Sequence, residues 1–94
     1  MRSTEELPQL RVGTRWQYVD VIADPEVVIS PRGYSPAIEV IRGDIRHFLF
    51  VSARSLAAGL EPLRERHGTL EGLSVRLRRT GTERTAPYEV QECK

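Results

Sequence analysis

Lysine and cysteine are almost absent from this 94-residue sequence, since Lys94 is the only lysine and Cys93 the only cysteine. A P-loop and a Schiff-base enzyme both need an internal lysine, and this chain has none. A lone cysteine excludes an internal disulfide and a site of several thiolates. No apolar run approaches the roughly 18 residues of a transmembrane helix. These absences exclude several enzyme classes and predict a protein that does not enter a membrane.

Catalytic and targeting patterns are missing as well. His47 and His67 are far apart, and no carboxylate stands at metal-ligand spacing from either of them. No serine has the flanking glycines of a nucleophile elbow. The first residues lack the apolar stretch of a secretory signal. We therefore expect a non-catalytic, cytoplasmic protein that needs neither a cofactor nor a metal.

Charges of the two signs nearly balance, with 14 basic and 13 acidic residues and a net charge of +1. All the basic residues except Lys94 are arginines. Two interpretations of this bias stay open. A GC-rich coding genome produces it, and arginine also stacks on planar groups and holds phosphates bidentately. The pI near 8.0 lies below the value of about 9 that is typical of strongly basic nucleic-acid-binding domains.

The first half of the chain has strand-like patterning. It predicts one domain over 1–94, with an ordered core at about 12–92 and a frayed polar start over 1–8. A first strand is expected at about 14–23, where Asp24-Pro25 breaks it. Residues 27–29 continue that strand after a bend.

Proline, glycine and serine then predict a loop over 30–36. Two runs of β-branched and aromatic residues follow, over 37–42 and 45–51. The two residues between the runs, Gly43-Asp44, indicate a hairpin.

One helix interrupts the strand pattern. Its apolar stripe has helical spacing and consists of Ala53, Leu56, Ala57, Leu60 and Leu63. Ser52 is the expected N-cap and Gly68 the expected C′ residue, while Pro62 either kinks the helix or starts a second one. Strand alternation returns over 73–78, and a polar turn at 80–85 leads to a last strand around Tyr88 and Val90.

The order of elements is therefore strand, strand, strand, helix, strand, strand. Over residues 12–92 this order resembles the oligonucleotide/oligosaccharide-binding (OB) fold, a five-stranded Greek-key barrel. The segment 70–78 also resembles the fourth strand of many OB domains, which begins with a glycine. The resemblance implies a mainly β fold with one helix that binds single-stranded nucleic acid. The alternative fold is a small α+β domain with an open antiparallel sheet.

Strand alternation assigns residues to faces. In the strand over 73–78, Val75 and Leu77 face a core, whereas Arg76 and Arg78 face outwards. The strand over 45–51 is apolar on both faces. Phe48 and Phe50 are thus either core residues or, beside Arg46, an exposed platform on which bases stack.

Further candidates lie outside these two strands. Trp16 is either a core residue or a stacking residue, and Tyr34 lies in the predicted loop, where OB domains line their binding groove. Arg79 and Arg84 extend the basic segment around a turn rich in threonine and glycine. The predicted binding residues are Trp16, Tyr34, Arg46, Phe48, Phe50, Arg76, Arg78, Arg79 and Arg84.

The sequence therefore predicts a non-catalytic module that binds single-stranded nucleic acid, with DNA favoured over RNA. The alternative is a protein–protein adaptor or an accessory subunit that forms homodimers, because the nearly neutral charge suits a protein partner. In that case the second apolar face of the strand over 45–51 is an oligomer contact. The two alternatives differ in salt dependence, because only phosphate binding weakens steeply with salt.

Overall fold

The computed structural model describes residues 2–3, 5–31 and 33–93 and shows a mainly β protein with one helix. The helix, α1, spans Arg54–His67 and lies between the fourth and fifth strands. The six strands are β1 (Gln17–Val21), β2 (Glu26–Ser30), β3 (Gly33–Arg42), β4 (Ile45–Phe50), β5 (Ser74–Arg79) and β6 (Tyr88–Glu92). No helix in the described part of the chain is long and apolar enough to cross a membrane.

β1 and β2 are two parts of one broken strand, as the sequence predicts. Both pair antiparallel with β3, β2 with its first half and β1 with Val40 and Ile41. Asp24 fixes the break, because its carboxylate accepts hydrogen bonds from Thr69 Oγ1 at 2.6 Å and from the Leu70 N–H at 2.7 Å. The break therefore allows β2 to pair with the first half of β3 while β1 pairs with its second half.

The antiparallel sheet does not close. β1 also pairs with β5, β5 pairs with β6, and β4 pairs with β3. Among the described residues no ladder joins β4 to β6, so the prediction of a closed barrel is not confirmed. The N-terminal segment lies at the free edge of β4, where the Leu10 N–H donates to Phe48 O and the Phe48 N–H to Pro8 O.

The prediction of a frayed start over 1–8 is wrong for the residues described there. The Ile29 N–H donates to Arg2 O at 2.8 Å, and Leu7 packs on buried residues of the sheet. Leu10, just beyond that range, is 4% exposed. The backbone of this segment pairs with strand edges that would otherwise be free, and its apolar side chains pack on the sheet. The mostly polar composition of the segment does not reveal either contact.

The predicted loop over 30–36 is also wrong, because Gly33 to Pro36 belong to β3. Gly33 has φ 115°, a conformation that favours glycine and permits a tight connection from β2. Pro36 is tolerated in the strand because its carbonyl accepts from the Val51 N–H beyond the end of β4. Its missing N–H points to the same side, beyond the end of β4, so the ladder between β2 and β3 loses no bond.

The helical stripe is largely confirmed, since Leu56, Leu60 and Leu63 are buried while Ala57 is exposed. α1 is continuous through Pro62, and Gly68 ends it with φ 77° as expected. The N-cap prediction is wrong: Ala53 occupies that position without a side-chain hydrogen bond.

Both faces of the sheet bury apolar side chains. The main core lies between the sheet and α1, where Val75 and Leu77 are at most 1% exposed. A smaller core of Val28, Ala37 and Phe48 lies on the opposite face, under the N-terminal segment. The face opposite α1 is therefore covered over one part only.

Candidate nucleic-acid interface

The uncovered part of the sheet brings aromatic and basic side chains together. We call it the open region and define it by Trp16, Tyr18, Arg76 and Arg78. Tyr18 in β1 pairs with Arg76 in β5, and Trp16 directly precedes β1. Strand alternation places these side chains on the face opposite the core residues Val75 and Leu77, as predicted for Arg76 and Arg78.

Trp16 lies against two arginines. The Cζ atoms of Arg76 and Arg78 are each 4.5 Å from the centroid of its ring. Such contacts stabilise a guanidinium over an indole by about 0.5–1 kcal/mol at partly exposed positions. Tyr18 is 60% exposed beside them. Tyrosine rings and guanidinium planes are both surfaces on which unpaired bases stack.

β6 holds the two arginines in place. Arg76 Nε donates to Gln91 Oε1 at 2.9 Å, and Arg78 Nη2 lies 3.1 Å from Glu89 Oε1. The Glu89 carboxylate compensates the charge of Arg78, whereas the neutral Gln91 leaves the charge of Arg76 uncompensated. The carboxylate of Asp20, in β1, lies on this face as well and accepts a hydrogen bond from Ser74. The open region therefore combines ordered cations with an accessible ring.

The remaining aromatic candidates are in a different environment. We define the covered region by Val28, Ala37, Phe48 and Phe50. Phe48 is fully buried, and the Arg2 guanidinium lies 5.0 Å from its ring centroid. Phe50 is half-buried against the same core. Of the two interpretations of Phe48, core and platform, the platform is wrong, because a base cannot reach a ring that Arg2 and the sheet enclose.

Charges over the covered region are largely compensated. The Glu39 side chain is 8% exposed and pairs with both Arg2 and Arg46, the latter at 3.3 Å. Arg2 also pairs with Glu6 and Glu26. Arg46, at 62% side-chain exposure, remains accessible but belongs to this network rather than to the open region.

Tyr34 is 69% exposed and lies apart from the other candidates. It belongs to β3 and pairs with Ile29 near the tip of the β2–β3 hairpin, which pairs with neither β5 nor β6. Its neighbours Val27 and Ile29 are also exposed, at 49% and 42%. The structure therefore does not bring Tyr34 to the open region.

Arg79 and Arg84 line a groove where α1 begins, which we call the helix-start groove. Arg79 lies next to Arg78 in β5 but on the opposite face, and its Cζ is 5.8 Å from the Tyr88 ring centroid. Described residues that line the groove are Ala53, Arg54, Ser55, Ala58, Arg79, Arg84, Thr85, Ala86, Pro87 and Tyr88.

Sequence reasoning missed Tyr18, Gln91 and Arg54. Tyr18 follows Trp16 by two residues, so period-2 alternation alone places the two rings on one face. Gln91 directly follows the residues that predict the last strand, Tyr88 and Val90, and only the β5–β6 register places it opposite Arg76. Arg54 reaches the groove because α1 starts beside the β5–β6 connection, which no local pattern predicts.

Each of the two histidines has a single neighbour given by the described structure. His67 Nε2 lies 3.0 Å from Glu92 Oε2, and His47 Nδ1 lies 3.1 Å from its near neighbour Ile45 O. The described chain contains no group of three or more potential metal ligands. Hydrogen bonds from Thr69 and Leu70 lower the pKa of Asp24, which fits a structural role at the strand break.

Comparison of the chain with family models, with curated proteins and with solved structures gives no match. The arrangement of residues within the structure is therefore the basis for a functional proposal.

Proposed function

We propose that this protein is a non-catalytic, OB-like domain that binds single-stranded nucleic acid across the open region. The observation that carries the proposal is the contact of Trp16 with both Arg76 and Arg78, beside the exposed Tyr18. Aromatic rings stack bases in a sequence-tolerant way, and arginines neutralise the phosphates between them. One face of two paired strands thus supplies both parts of single-strand recognition.

The strand pairing supports the OB-like part of the proposal. A broken first strand that pairs on both sides, with β3 and with β5, follows the Greek-key order of that fold. The helix between β4 and β5 also fits it. OB barrels are partly open, and in this chain residues 8–10 occupy the β4 edge that a closing strand would otherwise pair with.

We keep DNA as the ligand and the cytoplasm as the location, the expectations stated from the sequence. We expect binding to be stronger for single strands than for duplexes, since stacking on Tyr18 requires unpaired bases. Affinity should also fall as salt rises, because arginine–phosphate contacts release counterions.

Fluorescence anisotropy with a labelled 20-nucleotide oligo-dT tests this function. Tyr18→Ala should weaken binding by about 5- to 150-fold, the loss expected for about 1–3 kcal/mol of stacking per base. Tyr34→Ala is the matched control, because it removes an exposed ring outside the open region. Equal affinities of the wild type and Tyr18→Ala, or no binding of any single strand at low salt, would contradict the proposal.

A protein–protein adaptor is the second candidate, and the β2–β3 hairpin favours it. Val27, Ile29 and Tyr34 leave apolar surface exposed there, and contiguous exposed apolar patches mark sites of protein–protein interaction. Size-exclusion chromatography separates the candidates. A dimer that persists at high salt and dissociates on Ile29→Glu supports the adaptor.

A further inference from the structure

The helix-start groove has the composition of a phosphate site. Arginines enter it from three elements: Arg54 from the start of α1, Arg79 from the end of β5 and Arg84 from the β5–β6 connection. None of the described residues that line it is acidic. Among the described residues, Arg54 and Arg84 form no ion pair. Two uncompensated guanidiniums therefore face one concave surface.

Arg79 adds a buried donor to this site. Its Nη2 donates to Glu83 O, while its Nε is buried without a partner in the described structure. A buried donor without a partner destabilises the fold, and an acceptor oxygen in the groove would offset that cost. Arg79 also lies over Tyr88.

The rest of the lining is apolar and fixed. Ala58, Pro87 and Tyr88 lie between the arginines, and the Tyr88 N–H donates to Ser55 Oγ at 2.9 Å. An inorganic anion would leave this surface unused. A nucleotide uses both parts, with its phosphate on the guanidiniums and its sugar or base on Tyr88 and Pro87.

Position connects the groove to the open region. Arg78 and Arg79 are consecutive in β5 and point to opposite faces, so the same end of β5 contributes one arginine to the open region and one to the groove. We propose that the helix-start groove holds the phosphorylated end of the nucleic-acid strand whose bases stack on the open region. This inference rests on the proposed function, which supplies the nucleic-acid strand. The groove itself binds one terminal nucleoside monophosphate of that strand.

Terminal phosphate is preferred over an internal phosphodiester because of its charge. A phosphomonoester carries about −1.5 to −2 at pH 7, against −1 for a diester. Three guanidiniums therefore favour the terminal group.

The test compares three forms of one labelled oligo-dT: with a 5′-phosphate, with a 3′-phosphate and with neither. We expect one phosphorylated form to bind about tenfold more tightly than the unmodified strand, the size of one charge-assisted interaction. The preferred end gives the direction of the strand. The preference should disappear in Arg84→Ala and in Arg54→Ala. It should persist in Arg42→Ala, which removes an exposed arginine at the far end of β3.

Free dTMP and inorganic phosphate, followed by NMR of the ¹⁵N-labelled protein, separate this site from the open region. Saturable shifts of the Arg84 and Tyr88 amides with dTMP, lost in Arg84→Ala, support the groove even if no oligonucleotide binds. In that case the proposed function fails and the groove is a site for free nucleotides. Equal affinity for all three oligonucleotides together with no dTMP shifts would overturn the inference and leave the open region unaffected.

Discussion

The open region and the covered region lie on the same face of one sheet and differ in what lies above them. In the covered region, the N-terminal segment places Arg2 over Phe48 and buries Glu39 beneath two arginines. In the open region, Arg76 and Arg78 lie against Trp16 with no further segment described above them, and Tyr18 is exposed. Aromatic–arginine contacts thus stabilise the fold in one region and remain accessible to a ligand in the other.

The two regions are expected to differ most in stability. Phe48→Ala should lower the free energy of unfolding by about 3–4 kcal/mol, because it leaves a cavity in a fully buried site. Trp16→Ala should cost only about 1 kcal/mol, since its side chain is half-buried just before the start of β1. Urea denaturation followed by circular dichroism measures both. Equal losses in the two variants would remove the distinction between the regions.

Arg2→Ala should have the next largest effect, about 1–2 kcal/mol of destabilisation. It removes a charged partner of the nearly buried Glu39 and the cover over Phe48. Arg46→Ala is the control, because Arg46 contacts the same carboxylate but is mostly exposed; it should cost about 0.5 kcal/mol or less. If Arg46→Ala were the more damaging change, the N-terminal segment would not be what covers this region.

How far the sequence predicts these regions depends on how local the signals are. The alternation of Val75 and Leu77 with Arg76 and Arg78 predicts both faces of β5, and Asp24-Pro25 predicts the break between β1 and β2. Phe48 remains ambiguous, because β4 is apolar on both faces and only the placement of the N-terminal segment decides which residues are covered. That segment looks polar, and its Leu7 and Leu10 find their sites through contacts distant in sequence.

The candidate site shows the same limit. Trp16, Arg76 and Arg78 are recognisable as residue types, but their contact depends on the register between β1 and β5. The hairpin that carries Tyr34 extends away from the open region, because residues 33–36 form a strand with β2 and not a loop. Proline and glycine content predicts a break in regular structure and does not reveal that Gly33 and Pro36 are compatible with a strand at these positions.

The break between β1 and β2 gives a smaller, pH-dependent effect. The pKa of Asp24 is lowered below its ordinary value of 3.8, chiefly by the hydrogen bond from Thr69 and then by that from the Leu70 N–H. The ionised carboxylate therefore stabilises the fold fully at pH values above the ordinary pKa of 3.8. This stabilisation is lost as the pH falls through the folded-state pKa.

Asp24→Asn should accordingly cost about 1 kcal/mol or less at pH 7, given the exposure of Asp24, and this cost should shrink as the pH is lowered from 7 to 2. Thermal or urea unfolding across this pH range measures the difference. Asp44→Asn, at the exposed β3–β4 turn, is the control. A cost for Asp24→Asn that does not change with pH would show that shape, not charge, fixes the break.

The smallest expected effect is on salt dependence. Arg76→Ala should reduce the slope of log affinity against log salt by about 0.7, the contribution of one phosphate contact to a single strand. Arg46→Ala should leave the slope unchanged, because its charge is paired with Glu39 in the covered region. Equal slope changes in the two variants would place the strand over both regions.

The most direct test of the open region is an NMR titration of the ¹⁵N-labelled protein with an unmodified oligo-dT. We expect the resonances of the Trp16 indole N–H and of the β1 and β5 amides to shift with increasing ligand. The amide resonances of Phe48, Phe50 and the N-terminal segment should not shift. Shifts centred on Phe48 and Phe50, or shifts confined to the β2–β3 hairpin, would contradict this expectation.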